Sequence, residues 1–317
     1  MNVLMWHVHG SWTTAFVRGF HTTLLPVLPD RGPDGRGRAR TWDWPDRAVE
    51  LTPEELRDAE IDVVVLQRPE DEELATRWTG RRPGRDLPAV WLEHNSPQGR
   101  IAEMRHPAAD RDDLVLVHVT HTNDLFWDAG STRTLVIEHG IVDPGERWTG
   151  EIERAAVVAN EPGRRGRVTG TDLLPRFAAA APVDLFGMGV RDVAASVPGV
   201  TGHEDLPQSA LHDALARRRV YVHTSRWTSL GLSLLEAMHL GMPVVALACT
   251  EVPDAVPDGA GVVSNDVGVL VEAVRNLIAD HGEAARLGKA ARAAATERYG
   301  LHRFLDDWDR LLHEVCR

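Results

Sequence analysis

Lysine is almost missing from this chain: Lys289 is the only one among 35 basic residues. Any cationic site must therefore be built from arginine, which is planar and always charged, or from histidine. Cysteine is nearly absent too. Cys249 and Cys316 are far apart and in no metal-ligand spacing, which excludes a disulfide scaffold and fits a reducing compartment. No run of about 18 apolar residues occurs, so no membrane span is expected. The apolar start within Met1–Val8 is broken by His7, His9 and Gly10. It lacks the basic start and long apolar stretch of a secretory signal, and a cytoplasmic location is expected. Positive charge is in deficit, 35 against 47 acidic residues for a formal net charge of −12, which disfavours nucleic acid as a partner.

Chemical motifs are missing as well. No Gly-x-x-x-x-Gly-Lys-Ser/Thr loop is present, and no Gly-x-Gly-x-x-Gly follows a strand, which weakens kinase and dehydrogenase readings. His7-x-His9 and His118-x-x-His121 lack third and fourth ligands at useful spacing. Asp110-Arg111-Asp112 falls in a polar turn and Asp307-Trp308-Asp309 on the closing helix, so both read as solvated faces. No metal and no bound cofactor are expected.

What is present is alternation. The 317 residues suit two domains of roughly 150 residues each, and short apolar runs alternate with helical segments throughout, as in parallel βαβ units. Strands are expected near 2–8, 23–28, 62–67, 89–93, 114–119 and 134–138 in the first half. In the second they are expected near 155–159, 184–188, 220–224, 244–248 and 261–263. Pro29–Arg40, rich in Pro, Gly and Arg, reads as an exposed loop. Thr52, Pro53 and Glu55 carry a helix start signal. The turn formers of Asp143–Gly150 mark the boundary, giving domains of residues 1–146 and 147–317. A final amphipathic helix, about residues 302–316, is expected to pack back on the N-terminal domain.

The most informative stretch is Val220–Ala248. It reads as strand, tight loop, helix, turn and strand, with Gly241 stopping the helix and Pro243 just beyond. The loop Ser225–Gly231 then sits at the carboxyl end of a parallel strand, where open α/β sheets bind ligands. Thr228, Ser229 and Gly231 leave backbone N–H groups at the helix start free to meet an anion. Glu236, further into the helix, has acceptor sites only and can hold two sugar hydroxyls. Together these describe a nucleotide diphosphate with its ribose.

This segment resembles the donor site of glycosyltransferase family 4, the retaining enzymes of the GT-B class. Gly231, Leu232, Leu235, Glu236, Ala237, Met238, Gly241, Pro243, Val244, Val245 and Ala246 match its pattern in register. The likeness covers the second half closely and the first half more loosely. It implies an α/β fold of two Rossmann-like domains facing each other across a cleft, and a nucleotide-sugar donor. It also implies transfer of the sugar to an acceptor hydroxyl with retained configuration, and the missing metal motifs make a metal-independent transfer the expectation.

It further implies donor contacts from Thr228, Ser229, Leu230, Gly231, Leu232, Glu236 and Arg167. Catalytic roles fall to Gly10, His94, Arg164 and Arg165, and an acceptor-side surface to His9, Ser11, Trp12 and His139. Two positions depart from the family. Thr228 stands where its first glutamate contacts the donor sugar. Thr169, just before Gly170-x-Asp172, stands where a lysine clamps the diphosphate, leaving that task to Arg164, Arg165 or Arg167. A nucleotide-sugar-binding protein without turnover, or another GT-B enzyme such as a nucleotide-sugar epimerase, are the alternatives. The acceptor, whether sugar, glycan or small metabolite, is not specified.

Overall fold

The computed structural model describes residues 1–317, and the chain divides into two compact units. The first comprises Met1–Val142 with Leu301–Arg317, and the second Asp143–Gly300. No helix is long and apolar enough to cross a membrane.

The first unit holds strands β1 (Asn2–Met5), β2 (Thr22–Pro26), β3 (Ala48–Leu51), β4 (Val63–Leu66), β5 (Ala89–Glu93), β6 (Val115–His118) and β7 (Thr134–Val136). Helices α1 (Gly10–Phe16), α2 (Pro53–Asp58), α3 (Pro69–Thr79) and α4 (His121–Phe126) connect them. All ladders are parallel, in the order β3-β2-β1-β4-β5-β6-β7. The central strands are buried on both faces, which is why β4 reads Val-Val-Val-Leu without alternation. Helix α2 begins in a full capping box between Thr52 and Glu55.

The second unit holds β8 (Ile152–Val158), β9 (Val183–Gly187), β10 (Val200–Glu204), β11 (Arg218–His223), β12 (Val244–Leu247) and β13 (Gly261–Ser264). Its helices are α5 (Pro162–Arg165), α6 (Leu174–Ala178), α7 (Arg191–Ser196), α8 (Gln208–Arg217), α9 (Leu232–Leu240), α10 (Val252–Ala255), α11 (Val267–Ala279) and α12 (His281–Arg298). The sheet is again parallel, in the order β10-β9-β8-β11-β12-β13. Both orders reverse direction beside the first strand of the unit, between β1 and β4 and between β8 and β11. Ligand crevices of doubly wound sheets open at such switch points.

The last helix, α13 (Leu301–Val315), belongs to the first unit. Its buried stripe of Phe304, Trp308, Leu311 and Leu312 carries rings that pack on Trp12 and Phe16 of α1. Gly140 is needed at this contact, because a Cβ there would overlap the Phe304 side chain.

Three expectations are corrected. Strands β3 and β10 are not among the expected ones: both are edge strands, half exposed and interrupted by Glu50, or by Gly202 and His203. Such strands need no continuous apolar run. The sequence pattern predicts a helix over Thr171–Ala180, but the helix is shorter, one tight turn at Thr171–Leu173 followed by α6. Pro29–Arg40 is not merely an exposed loop. Gly37 N–H donates to Pro26 O at 2.9 Å, and the Trp6 indole donates to Asp34 O at 3.0 Å. Arg31 forms a bidentate pair with Glu50, while the Arg38 guanidinium donates to the carbonyls of Trp44, Pro45 and Ala48. Charge pairing from a neighbouring strand, which local composition does not reveal, holds the segment down.

Candidate active site

In the second unit the switch point brings together the chain after β8 and the chain after β11. Helix α9 starts at Gly231, whose backbone is extended and which no side chain caps, so its first N–H groups are left for solvent or an anion. Gly231 is required: a Cβ there would lie 2.6 Å from the His223 ring. His223 is buried, its Nε2 has no partner, and burial pushes its pKa down to about 4. Ser229 and Leu230 are buried and support the loop from beneath, whereas Thr228 and Leu232 are half-buried.

Glu236 is buried one turn into α9. Its Oε1 accepts from Gln208 Nε2 at 3.0 Å, and its Oε2 lies 3.3 Å from His212 Nε2. Both partners are on α8, which packs beside α9. A carboxylate has about four acceptor positions, so each oxygen retains capacity for a hydroxyl while α8 fixes the plane of the group.

The arginines separate by partner. Arg164 is exposed and 3.3 Å from Glu161, and Arg167 is exposed and 2.9 Å from Asp172. Asp172 is shared with Arg226, which grips both of its oxygens at 2.6 and 2.9 Å and holds the carboxyl below its usual range. Arg226 also ties the two loops together, its N–H donating to Val168 O and its guanidinium to Arg167 O. Arg165 alone of the four has no acidic partner. It is half-buried, and desolvation, followed by the charge of Arg164, lowers its pKa from the usual arginine value, leaving it cationic.

Thr169 is buried, its hydroxyl bonded to Gly166 O and Thr171 Oγ1, and its carbonyl accepts from Thr224 Oγ1 at 2.6 Å. It staples the loop to β11. Gly170, at φ +73°, leaves no room for a side chain against Thr224 O.

In the first unit the ends of β1, β4 and β5 converge. His94, after β5, is buried, with Nε2 3.0 Å from Gln67 Oε1. Its ring lies 4.0 Å from the His9 ring, and the edge of Trp12 is 5.2 Å away. His139 is buried with both ring nitrogens unpartnered. Burial, helped by neighbouring basic groups, lowers the pKa of all three histidines: His9 to about 4, His139 to about 3, and His94 well below the ordinary value.

The expected acceptor-side and catalytic set is thereby corrected in part. Trp12 is only 1% exposed and belongs to the aromatic core with Phe16, Phe304 and Trp308. It has no face to offer a substrate. Gly10, the first residue of α1, is covered by the Trp42 ring. His9 and Ser11 are half-buried.

Sequence reasoning missed Gln67, His212, Gln208, Arg226 and His223. Gln67 and Arg226 follow the two switch-point strands β4 and β11, a position that marks them in principle. Gln208 and His212 carry no local signal, because only helix packing brings them to Glu236. No group of three or more His, Cys, Asp or Glu side chains is arranged to hold a metal ion.

Two parallel doubly wound sheets, each reversing its strand order beside its first strand, match the GT-B architecture. Residues 199–294, which include the whole β11–α9–β12 segment, match the family model described as glycosyl transferases group 1. The sulfoquinovosyl transferase SQD2 of Arabidopsis thaliana is 39% identical over 95 residues, which are 28% of this chain and 18% of that protein. The alpha-maltose-1-phosphate synthase of Mycobacterium tuberculosis is 27% identical over 259 residues, 72% of this chain and 67% of its own.

Among solved structures, sucrose-phosphate synthase from Thermosynechococcus elongatus superposes over 99% of both chains with a TM-score of 0.72 at 14% identity. Anabaena Alr3699/HepE, in complex with UDP and glucose, does so with a TM-score of 0.70, also at 14%. At that identity these two show the fold alone.

Proposed function

We propose that this protein is a retaining glycosyltransferase that moves a sugar from a nucleoside diphosphate donor to an acceptor hydroxyl without a metal ion. The observation that carries the reading is the uncapped start of α9 at Gly231, with the oriented carboxylate of Glu236 one turn inside it. The two features fit the two ends of one ligand, anionic diphosphate and ribose diol. The family match over residues 199–294 supports the same assignment, as do the transferase and synthase names of the relatives.

The chemical task is to stabilise the diphosphate as it departs. Preorganised N–H groups at a helix start supply about half an elementary charge, and a positioned cation adds the rest. Arg165 is the available cation, since Arg164, Arg167 and Arg226 are already engaged by carboxylates. No enzyme base is required if a donor phosphate oxygen takes the acceptor proton. The uncharged histidines His9, His94 and His139 suit sugar hydroxyls, since a neutral ring carries one donor and one acceptor, although one nitrogen of His94 is already engaged by Gln67.

The test is a panel of nucleotide sugars, first by thermal shift and then by nucleoside diphosphate release in excess chelator. Release that depends on an added acceptor supports transfer. Thermal stabilisation with no release would instead mark a binding protein, the reading that Thr228 in the family's glutamate position raises. Glu236→Ala is expected to weaken donor binding by about 1.5–3 kcal/mol, the worth of hydrogen bonds to a charged group. Unchanged affinity by calorimetry in a folded variant removes the ribose from this residue.

A further inference from the structure

We propose that Gln67 is a positioning residue that sets the tautomer of His94, holding the hydrogen on Nε2 and presenting Nδ1 as an acceptor toward a ligand hydroxyl. This rests on hydrogen-bond bookkeeping. Trp6 O is a carbonyl and can only accept, so the group 2.7 Å from it on Gln67 is the amide nitrogen. The amide oxygen then faces His94 Nε2 at 3.0 Å. A carbonyl oxygen accepts and never donates, so Nε2 carries the hydrogen. Flipping the amide would set two carbonyl oxygens against each other at Trp6.

Gln67 cannot easily turn away. It is buried, and its own N–H donates to Asp71 Oδ2 at 2.9 Å. Asp71 in turn binds the Arg68 N–H and guanidinium at the start of α3. His94 is confined between the ring of His9 and the edge of Trp12.

The surroundings keep the ring uncharged. The groups whose fields reach this cluster are His9 and His139 at His94, Arg36 at His9, and Arg303 at His139. All are basic, and none would support an imidazolium. With Nε2 committed to Gln67, the one bond left to a neutral His94 is acceptance at Nδ1. Such a group favours an alcohol O–H and rejects a carbonyl or carboxylate oxygen at the same place. Applied to the proposed reaction, this makes His94 a reader of one free hydroxyl on a bound substrate, and that extension rests on the glycosyltransferase reading.

The experiment has two arms. In the first, ligand-free protein labelled with 15N-histidine is studied by NMR as wild type, Gln67→Leu and Gln67→Glu. The wild-type His94 is expected as the Nε2–H form, staying neutral well below the ordinary pKa of about 6.5. Gln67→Leu should lose that single form. Gln67→Glu should keep the hydrogen on Nε2 and titrate at higher pH, because a carboxylate stabilises the cation. An Nδ1–H or cationic wild-type His94 at neutral pH overturns the proposal, as does an unaltered tautomer in Gln67→Leu.

In the second arm, a working sugar substrate is compared with its deoxy analogues, one position at a time. Gln67→Leu should lower kcat/KM about tenfold for the parent sugar and leave it unchanged for one particular deoxy sugar. An equal loss for every analogue overturns the hydroxyl-reading role. If no nucleotide sugar is a substrate, the reaction assignment fails while the first arm still decides the tautomer.

Discussion

Arg165→Ala is expected to turn over about a hundredfold to a thousandfold more slowly than the parent enzyme, with a much smaller loss of donor affinity. In the proposed reaction, charge on the leaving diphosphate grows as the sugar departs, so a cation beside it is worth more in the transition state than in the bound complex. Losing one such electrostatic contact costs about 2.7–4 kcal/mol.

Partner geometry makes Arg165 the choice over its neighbours. Arg164 and Arg167 are exposed and each faces a carboxylate, Glu161 or Asp172. Removing either should leave turnover close to the parent rate. Arg226 is also paired with Asp172 and laces the two loops together, so Arg226→Ala should damage the loops as well as the chemistry. Steady-state kinetics with a working donor separates these variants. A parent-like kcat for Arg165→Ala, with a loss at Arg164 or Arg167 instead, would show that bound donor rearranges the ion pairs.

The second large effect is on stability in acid. His118, His139 and His223 are buried and held neutral, with pKa values near 4, 3 and 4 respectively, chiefly by desolvation. Their folded values lie below the unfolded value of about 6.5. Above that pH both states are neutral and nothing is lost. As the pH falls below it, the unfolded chain binds protons that the native protein refuses, and stability drops until the folded values are reached.

A tenfold difference in proton affinity between the two states corresponds to about 1.4 kcal/mol, so each of these histidines costs on the order of 3 kcal/mol across that window. Three such residues offset a large share of a total stability of about 5–15 kcal/mol, so stability should fall steeply between about pH 6.5 and about pH 4. Urea unfolding followed from about pH 7.5 down to about pH 4.5 measures the slope. His223→Leu should flatten it by the share of one residue, and a midpoint that stays level across the window would mean that these rings are protonated in the fold.

The C-terminal donor segment is legible because its chemistry is local. A helix start, a carboxylate one turn on, and a Gly-x-Pro stop follow one another in the chain, and Gly241 adopts the left-handed conformation, φ +85°, that such a stop requires. The alternation of apolar runs points to two parallel domains for the same reason, since buried parallel strands write themselves as continuous apolar stretches. Edge strands β3 and β10, which bury less, leave no such trace.

The first-unit site is only half legible. Resemblance picks out His94 and His139, but Trp12 reads as a surface residue until α13 closes over it. That helix lies 289 residues further along the chain by its Leu301 start, counted from Trp12, and no pattern near Trp12 announces it.

The two alternating sheets, the start of α9 and the residue types available for anions are thus legible in the chain alone, with arginine in place of all but one lysine to supply a permanent cation. The tertiary structure decided which arginine is unpaired, which carboxylate is oriented and which histidine is aimed. Each of those depends on partners from other elements: Asp172 engages Arg226 and so leaves Arg165 as the arginine without an acid, Gln208 and His212 hold Glu236, and Gln67 holds His94. Periodicity records how a segment buries its own apolar face. It carries no record of the hydrogen-bond partners that packing later brings within about 3 Å, and in this protein those partners set the charge and proton positions of the site.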